Sequence, residues 1–450
     1  MKIIHCVDHY MPQHMAGTEV YIHTLASLQN LSGHQASVLI PHFEYYRSGR
    51  FRGHYRYDGI DVYEYHEPSE PLNRAILSGA EKPAGLANFS EFLQTHRPDV
   101  VHFHELTRSI GFGAAHVQAA KRFGGKVILT MHLSGYTCNT NTLIRNNQLC
   151  GGEIREFQCS ECSCKTLYKL PAFLAYPTTV VSGLSNVLGL TPKLPHGQLK
   201  TLLSFPLAIR RIKDELQELV ANTDHLVCLT EWYKKILILN GVPSEKITVI
   251  PQALAAAGGS GTPNTHNDPG GSPLKVVFIG RIQPQKGVDL LIGAAKGFSA
   301  GELIIDLYGQ EEDSEFCRRC MAALETVDTV RFRGPLDREA VVDTVSGYDI
   351  LCLPSTFSEM SSLVIQEAFA AGIPVLASRV YGNIEQIRDG YNGLLFDFKS
   401  SRDLRVKLKR LVKEPGLLQK LKANVRPPKH FEAVCSAYLQ LYTQTENKIS

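Results

Sequence analysis

The sequence predicts an α/β fold built from two doubly wound domains, each a parallel sheet wrapped by helices. Three observations predict it. Short β-rich apolar runs alternate with helical segments through the first half, a second such series fills the second half, and a stretch with almost no large apolar side chain divides them. The 450 residues are 44% hydrophobic and 20% charged, an ordinary globular composition with enough chain for two or three cores.

The first series comprises residues 2–7, 36–41, 100–104, 127–131, 226–230 and 247–250. Between its first two runs Val20, Ile22, Leu25, Leu28 and Leu31 recur at helical spacing, and Gly33 follows as a terminator. The opening residues carry one cation and a short apolar run that Asp8 interrupts, so they read as a buried strand rather than a signal peptide. No stretch reaches the roughly 18–20 uninterrupted apolar residues that a spanning helix needs. The most apolar region, residues 170–190, is broken by Pro171, Pro177, Gly183 and Asn186. A cytoplasmic protein is expected. Residues 202–220 set Arg210, Arg211 and Lys213 beside an apolar face, a pattern shared by helices that pack on a core and by helices that lie on a membrane, so peripheral membrane association stays open. A net charge of +3 is far below the footprint of a nucleic-acid binder.

Residues 255–273, rich in Gly, Pro, Ser and Asn, read as a flexible linker. The second series follows at 275–279, 303–308, 330–332, 350–353 and 374–377, and a last helical pattern, 430–442, lies beyond Pro427 and Pro428. The expected division is therefore a domain at 1–254 with a cysteine-rich insertion at about 133–220, the linker, a second domain at 274–428, and a terminal helix at 429–450 that returns to the first domain. Open α/β sheets bind ligands beyond the carboxyl ends of their strands, which places the chemistry in a cleft between the two domains.

Two elements of the second domain suit a diphosphate. In Phe278-Ile279-Gly280-Arg281-Ile282-Gln283-Pro284-Gln285-Lys286-Gly287 a strand gives way to a turn bearing two cations. Arg281 can fork onto phosphate oxygens while Lys286 supplies a compact charge, and both would stabilise charge on a departing nucleotide. Further on, Ser361 or Ser362 can cap a helix that ends at Gly372, whose free N-terminal amides suit an anion. Glu359 lies before that helix and Glu367 within it, separated along the cleft rather than flanking one bond, which argues against the paired carboxylates of a glycosidase.

These motifs resemble family 4 glycosyltransferases of the GT-B fold, two Rossmann-like domains facing a central cleft. Glu359 and Glu367 with seven residues between them, followed by Ala368-Phe-Ala-Ala-Gly372-x-Pro374, resemble that family's E-x7-E element. Gly280-Arg281 with Lys286-Gly287 resembles its phosphate loop, and Met15-Ala16-Gly17-Thr18-Glu19 its N-terminal glycine loop. Position 16 is Ala where the family often has Gly, and Pro251-Gln252-Ala253-Leu254 replaces its usual Pro-Asn-Gly turn. The resemblance implies a retaining hexosyltransferase, class EC 2.4, that moves a sugar from a nucleotide-diphosphate donor to a hydroxyl of a carbohydrate, lipid-linked or small-molecule acceptor in glycoconjugate synthesis. Donor binding would fall to Gly17, Thr18, Gly280, Arg281, Lys286, Ser361, Ser362, Leu363 and Glu367, with Glu359 at the donor sugar and Glu367 at the ribose. His132 matches the family's Thr-x-His element, and His104 falls in the acceptor region by strand alternation. Base recognition is expected near Arg333 and Gly334. No cofactor is required, because Arg281 and Lys286 do what a magnesium ion does elsewhere.

Cys138, Cys150, Cys159 and Cys162, with Cys164 adjacent, lie in the insertion. The Cys159-x-x-Cys162 pair has metal-knuckle spacing and resembles a cysteine-bearing subset of the family, so a structural zinc site stands beside free thiols or a disulfide and an iron–sulfur or redox role. Cys317 and Cys320 read as packing residues. Two other readings remain: a nucleotide-sugar epimerase, and a catalytically silent nucleotide-sugar-binding partner.

Overall fold

The computed structural model describes residues 1–43, 51–68, 82–106, 111–191, 197–254 and 272–444; almost all of the expected linker, 255–273, lies outside them. The chain forms two compact units, one of Met1–Leu143, Gly151–Pro251 and Glu432–Ser450, the other of Ile144–Cys150 and Gln252–Phe431.

The first unit is built on an eight-stranded sheet. Its strands are β1 (Lys2–Cys6), β2 (Gln35–Phe43), β3 (His54–Tyr57), β4 (Ile60–Glu67), β5 (Val100–His104), β6 (Lys126–Met131), β9 (His225–Cys228) and β10 (Ile247–Val249); the short hairpin β7 (Ile144–Arg145) and β8 (Gln148–Leu149) counts with the second unit. The order is β10-β9-β6-β5-β1-β2-β4-β3. Pairing is parallel except for the β3–β4 hairpin, whose Asp58 and Gly59 both have positive φ (43° and 79°), the geometry that a two-residue turn demands. The central strands read as nearly continuous apolar runs because helices cover both faces. Exceptions are His5, His102, His104 and Thr130, each completely buried.

The terminal helix Phe431–Thr443 packs within this first unit, although most of the second unit precedes it in sequence. Tyr438 and Tyr442 bury their rings there; Tyr21 OH donates to Tyr438 OH at 3.0 Å and Lys126 Nζ to the Leu441 carbonyl at 2.8 Å.

The second unit holds a six-stranded, all-parallel sheet of β11 (Leu274–Ile279), β12 (Leu303–Tyr308), β13 (Val330–Gly334), β14 (Ile350–Leu353), β15 (Val375–Ser378) and β16 (Gly393–Phe396), in the order β13-β12-β11-β14-β15-β16. Strand alternation divides its core. Val276 and Phe278 join Leu291, Ile305 and Leu307 on one face, while Val277 joins Leu351, Ile365 and Phe369 on the other. Cys317 and Cys320 are buried on the first of these faces, as packing groups. The winding reverses between β11 and β14, and loops leaving two such neighbouring strands splay apart into a crevice.

Candidate active site

Both phosphate elements of the sequence emerge at that reversal. The loop after β11 runs from Gly280 to Gly287, and the loop after β14 runs from Pro354 to Ser362 before the helix Leu363–Ala370. Backbone contacts fasten the two together: Thr356 N donates to the Gln285 carbonyl and Thr356 Oγ1 to the Pro284 carbonyl, each at 2.8 Å. Gly287 is the joint. Its φ is +67°, and a Cβ there would lie 1.9 Å from the Pro354 carbonyl oxygen, so no other residue fits without moving the loops.

Lys286 Nζ contacts Glu359 Oε1 at 2.8 Å, and Ser355 Oγ donates to the same oxygen at 2.7 Å. The pair is largely out of water, with side-chain exposures of 22% and 9%. Lys286 also lies 5.2 Å over the Phe357 ring, a cation–π contact that fixes its direction. Sequence reading gives the charges but not Ser355, the hydroxyl that orients Glu359. Arg281 differs. It is exposed, and its side chain has no hydrogen-bond or ion-pair partner among the described residues.

Ser362 is the N-cap of Leu363–Ala370, with extended backbone and no side-chain cap bond, so the first amides of the helix keep their donors. Ile365, Ala368 and Phe369 bury the opposite face, worth about 1.5–3 kcal/mol for each large side chain. Glu367 is half-buried; burial raises its pKa above the ordinary carboxylate range, and the Arg338 charge opposes that rise. Arg333 is held by Asp306 at 2.9 Å, and Asp306 also accepts from Tyr348 OH at 2.7 Å.

In the first unit the winding reverses between β1 and β5. Gly17 opens the helix Gly17–Leu31, with Thr18 next, and Ala16 N donates to Glu19 Oε2 at 2.9 Å, the reciprocal half of a capping box whose N-cap half Ala16 has no side chain to make. His132 follows β6. Its amide and that of Leu133 both donate to Glu105 Oε2 at 2.8 Å, and Glu105 adopts a left-handed φ of 57° to reach them. Glu105 is a site residue that sequence reasoning missed; its position directly after His104 was the available signal. With Leu133, Tyr136, Asn139, Glu215 and Leu216 it lines a cavity of about 360 Å³ within this unit. His104, expected at the acceptor, instead sits behind His132 with no exposed surface, its two ring nitrogens 2.9 Å from His5 and 3.3 Å from His132.

The cysteines do not converge. Among the described residues no three of Cys138, Cys150, Cys159, Cys162 and Cys164 bring their sulfurs within 4.8 Å of one another. Cys164 is buried on the helix Glu156–Leu167 against Ala175 and Phe205, while Cys159 and Cys162 lie on other parts of its circumference, and Cys150 ends the β7–β8 segment. On one helix a three-residue spacing sets two thiols along a face but recruits no further ligand, so the four-thiolate zinc site has no gathered donor set here.

Two family models tile this arrangement. One described as "Glycosyl transferase 4-like domain" matches residues 16–155, and one described as "Glycosyl transferases group 1" matches residues 266–427, spanning both the Arg281 loop and the Glu359–Glu367 element. The chain belongs to the family 4 glycosyltransferases. Among relatives, a D-inositol 3-phosphate glycosyltransferase of Rhodococcus jostii is 32% identical over 235 residues, 48% of this chain and 50% of that one. Another, of Streptomyces bingchenggensis, is 32% identical over 156 residues, 32% and 34% of the two chains. The chain thus spans between a third and a half of the length of these curated relatives. In structure this glycosyltransferase-family chain resembles sucrose-phosphate synthase from Thermosynechococcus elongatus (TM-score 0.61, 15% identity, 98% of each chain covered). It also resembles Anabaena HepE solved in complex with UDP (TM-score 0.61, 14% identity, 98% and 99% covered). At such identities the likeness establishes the GT-B fold.

Proposed function

We propose that the protein is a retaining glycosyltransferase that moves a glycosyl group from a nucleotide-diphosphate sugar to an acceptor hydroxyl. The observation that carries this reading is the second unit's loop pair: an exposed, unpartnered Arg281 beside a buried Lys286–Glu359 pair, at the point where an open sheet reverses. The diphosphate lies against Arg281, Lys286 and the amides of Ser362 and Leu363, with Gly280 leaving room for close approach. Glu367 accepts from the ribose hydroxyls. As the donor bond loosens, charge grows on the departing phosphate, and Arg281 together with Lys286, the latter held in place by Glu359, stabilises it. A leaving-group oxygen takes the proton of the acceptor hydroxyl, which attacks from the same face. Glu359, held by Ser355 and Lys286, orients the donor sugar, and His132 serves the sugar and acceptor side. Relatives named as glycosyltransferases and a structural neighbour solved with UDP support a nucleotide-sugar donor.

On the acceptor side the protein meets a membrane. Residues 162–213 contain seven Lys or Arg and no Asp or Glu. Within them the helix Ala172–Val187 and the turn after it leave Phe173 (76%), Leu184 (61%), Val187 (76%) and Leu188 (61%) in the open, with Tyr176, Val180 and Val181 also exposed. This exposed apolar face adjoins a stretch whose own charges are all cationic, three of them (Lys165, Arg210 and Arg211) paired with Glu161, Glu156 and Glu218 outside it, and it suits a lipid surface and favours a lipid-linked acceptor. No helix among the described residues is long and apolar enough to cross a membrane.

Thermal stabilisation against UDP-, GDP-, ADP- and dTDP-sugars tests the donor reading, with Arg281→Ala and Glu367→Ala as controls. One nucleotide class raises the melting temperature, and both variants lose the shift. No shift with any donor removes the donor reading. Release of free nucleotide only when acceptor is added separates transfer from epimerisation.

A further inference from the structure

The first unit contains a cluster of buried imidazoles that sugar transfer does not itself call for. His5, His102 and His104 bring ring nitrogens within 4.8 Å of one another, the one such group of three candidate metal ligands among the described residues. Yet all six of those nitrogens already have partners. His5 pairs with His104 and with Gln29, His102 with Tyr442 and with Thr130, and His104 with His5 and with His132. A cation would have to break these bonds in a fully buried core, so the cluster is a hydrogen-bonded chain.

The direction of that chain follows from Gln29, whose amide has one accepting and one donating end. Oε1 faces His5 Nε2 at 2.8 Å, and Nε2 donates to Tyr442 OH at 3.4 Å. His5 therefore carries its proton on Nε2, donates it to Gln29, and leaves Nδ1 bare. That atom accepts from His104 Nε2–H at 2.9 Å, and His104 Nδ1 in turn accepts from His132 Nε2–H at 3.3 Å. A second arm runs the same way: Tyr442 O–H donates to His102 Nδ1 at 2.6 Å, and His102 Nε2–H donates to Thr130 Oγ1 at 2.7 Å. Each ring holds a single proton, because burial pushes His5 down to about 4 and His132 to about 3, and His102 and His104 well below the usual range. A proton placed at one end of a chain of neutral imidazoles dictates the tautomer at the other.

We infer that Gln29, acting through His5 and His104, is a positioning residue that fixes His132 as the Nε2-protonated tautomer with a bare Nδ1. The functional part of this inference rests on the assignment of His132 to the sugar and acceptor side. In that tautomer Nδ1 accepts a hydrogen bond from a sugar hydroxyl and cannot donate one. Reversal of the Gln29 amide would reverse every ring in the arm and turn His132 Nδ1 into a donor.

The test is two-bond nitrogen–proton correlation spectroscopy of the full-length protein carrying ring-labelled histidine, with the His132 signal identified by its loss in His132→Gln. The expected result is a neutral His132 protonated on Nε2. A His132 protonated on Nδ1, an even mixture of tautomers, or a metal-bound ring pattern in the cluster overturns the inference. Gln29→Met removes the acceptor and should mix the tautomers at His132, lowering kcat about tenfold or more at unchanged donor KM. Gln29→Glu, which still accepts from His5, should retain the tautomer. If Gln29 merely supported the fold, Gln29→Met would lower the melting temperature and leave the His132 signal unchanged. The spectra need no turnover. A protein that shows the expected tautomer but transfers no sugar therefore refutes the function and not the relay.

Discussion

Arg281 and Lys286 carry the same charge in different surroundings, so their removal should read differently. Arg281 supports nothing else in the described structure, and Arg281→Ala should cost about 10²–10³ in kcat at unchanged stability, measured by initial rates and urea denaturation side by side. Lys286 neutralises a carboxylate that is 9% exposed. Lys286→Ala leaves that charge unpaired and should cost roughly 3–5 kcal/mol of stability in addition to rate. Equal stability losses in the two variants would contradict the buried pair. Glu367 adds a pH signature. Its pKa is raised by burial, so it takes up a proton at a higher pH than an ordinary carboxylate, and as pH falls donor affinity should weaken early. Glu367→Gln should bind more weakly throughout and lose that acid limb in a titration of Kd against pH.

Among the elements, the loop pair depends on Gly287. Gly287→Ala meets both a left-handed φ and a carbonyl oxygen 1.9 Å away, and it should cost about 2–4 kcal/mol by chemical denaturation, with weaker donor binding as the Arg281 and Glu359 loops part. The helix Ala172–Val187 makes a separate claim. The full chain should pellet with vesicles rich in anionic phosphatidylglycerol and not with neutral phosphatidylcholine vesicles, and Phe173→Asp with Leu184→Asp should abolish the pelleting without lowering the melting temperature. A wild-type protein left in the supernatant with both vesicle types, or a concentration-dependent dimer that buries this face, removes the membrane reading.

For the whole molecule, five buried neutral histidines, His5, His102, His104, His116 and His132, make the first unit acid-labile. Their folded pKa values lie below the unfolded value of about 6.5, so the unfolded chain binds protons that the folded chain refuses, and stability falls as pH drops below 6.5. With all five contributing, the slope is roughly 6–7 kcal/mol per pH unit between about pH 5.5 and 4. Urea denaturation at pH 7 and 5 checks the sign. Tyr438 and Tyr442 complete the same network from the chain's far end, so a chain ending at residue 430 should lose cooperative unfolding of the first unit.

Local pattern is what made the fold legible. Short apolar β-rich runs, helical spacing and glycine turns mark most strands of both sheets, because those signals are set by neighbours a few residues apart. The sequence reading missed the β3–β4 hairpin, although Ile60, Val62 and the Asp58-Gly59 turn carried its signal, and it missed β16, whose Gly-Leu-Leu-Phe run is too short to be distinctive. By itself the sequence determined the α/β class, the family, the order of the loops and the charged groups from which the proposed donor site is built. The tertiary structure alone decided that Ser355 and Lys286 share one oxygen of Glu359, that His104 stands behind His132, that no three of the insertion's thiols gather among the described residues, and that residues 144–150 and 432–444 each join the unit from which they are distant in sequence. Those outcomes depend on which surfaces meet across long stretches of chain, and local spacing carries no record of a partner hundreds of residues away.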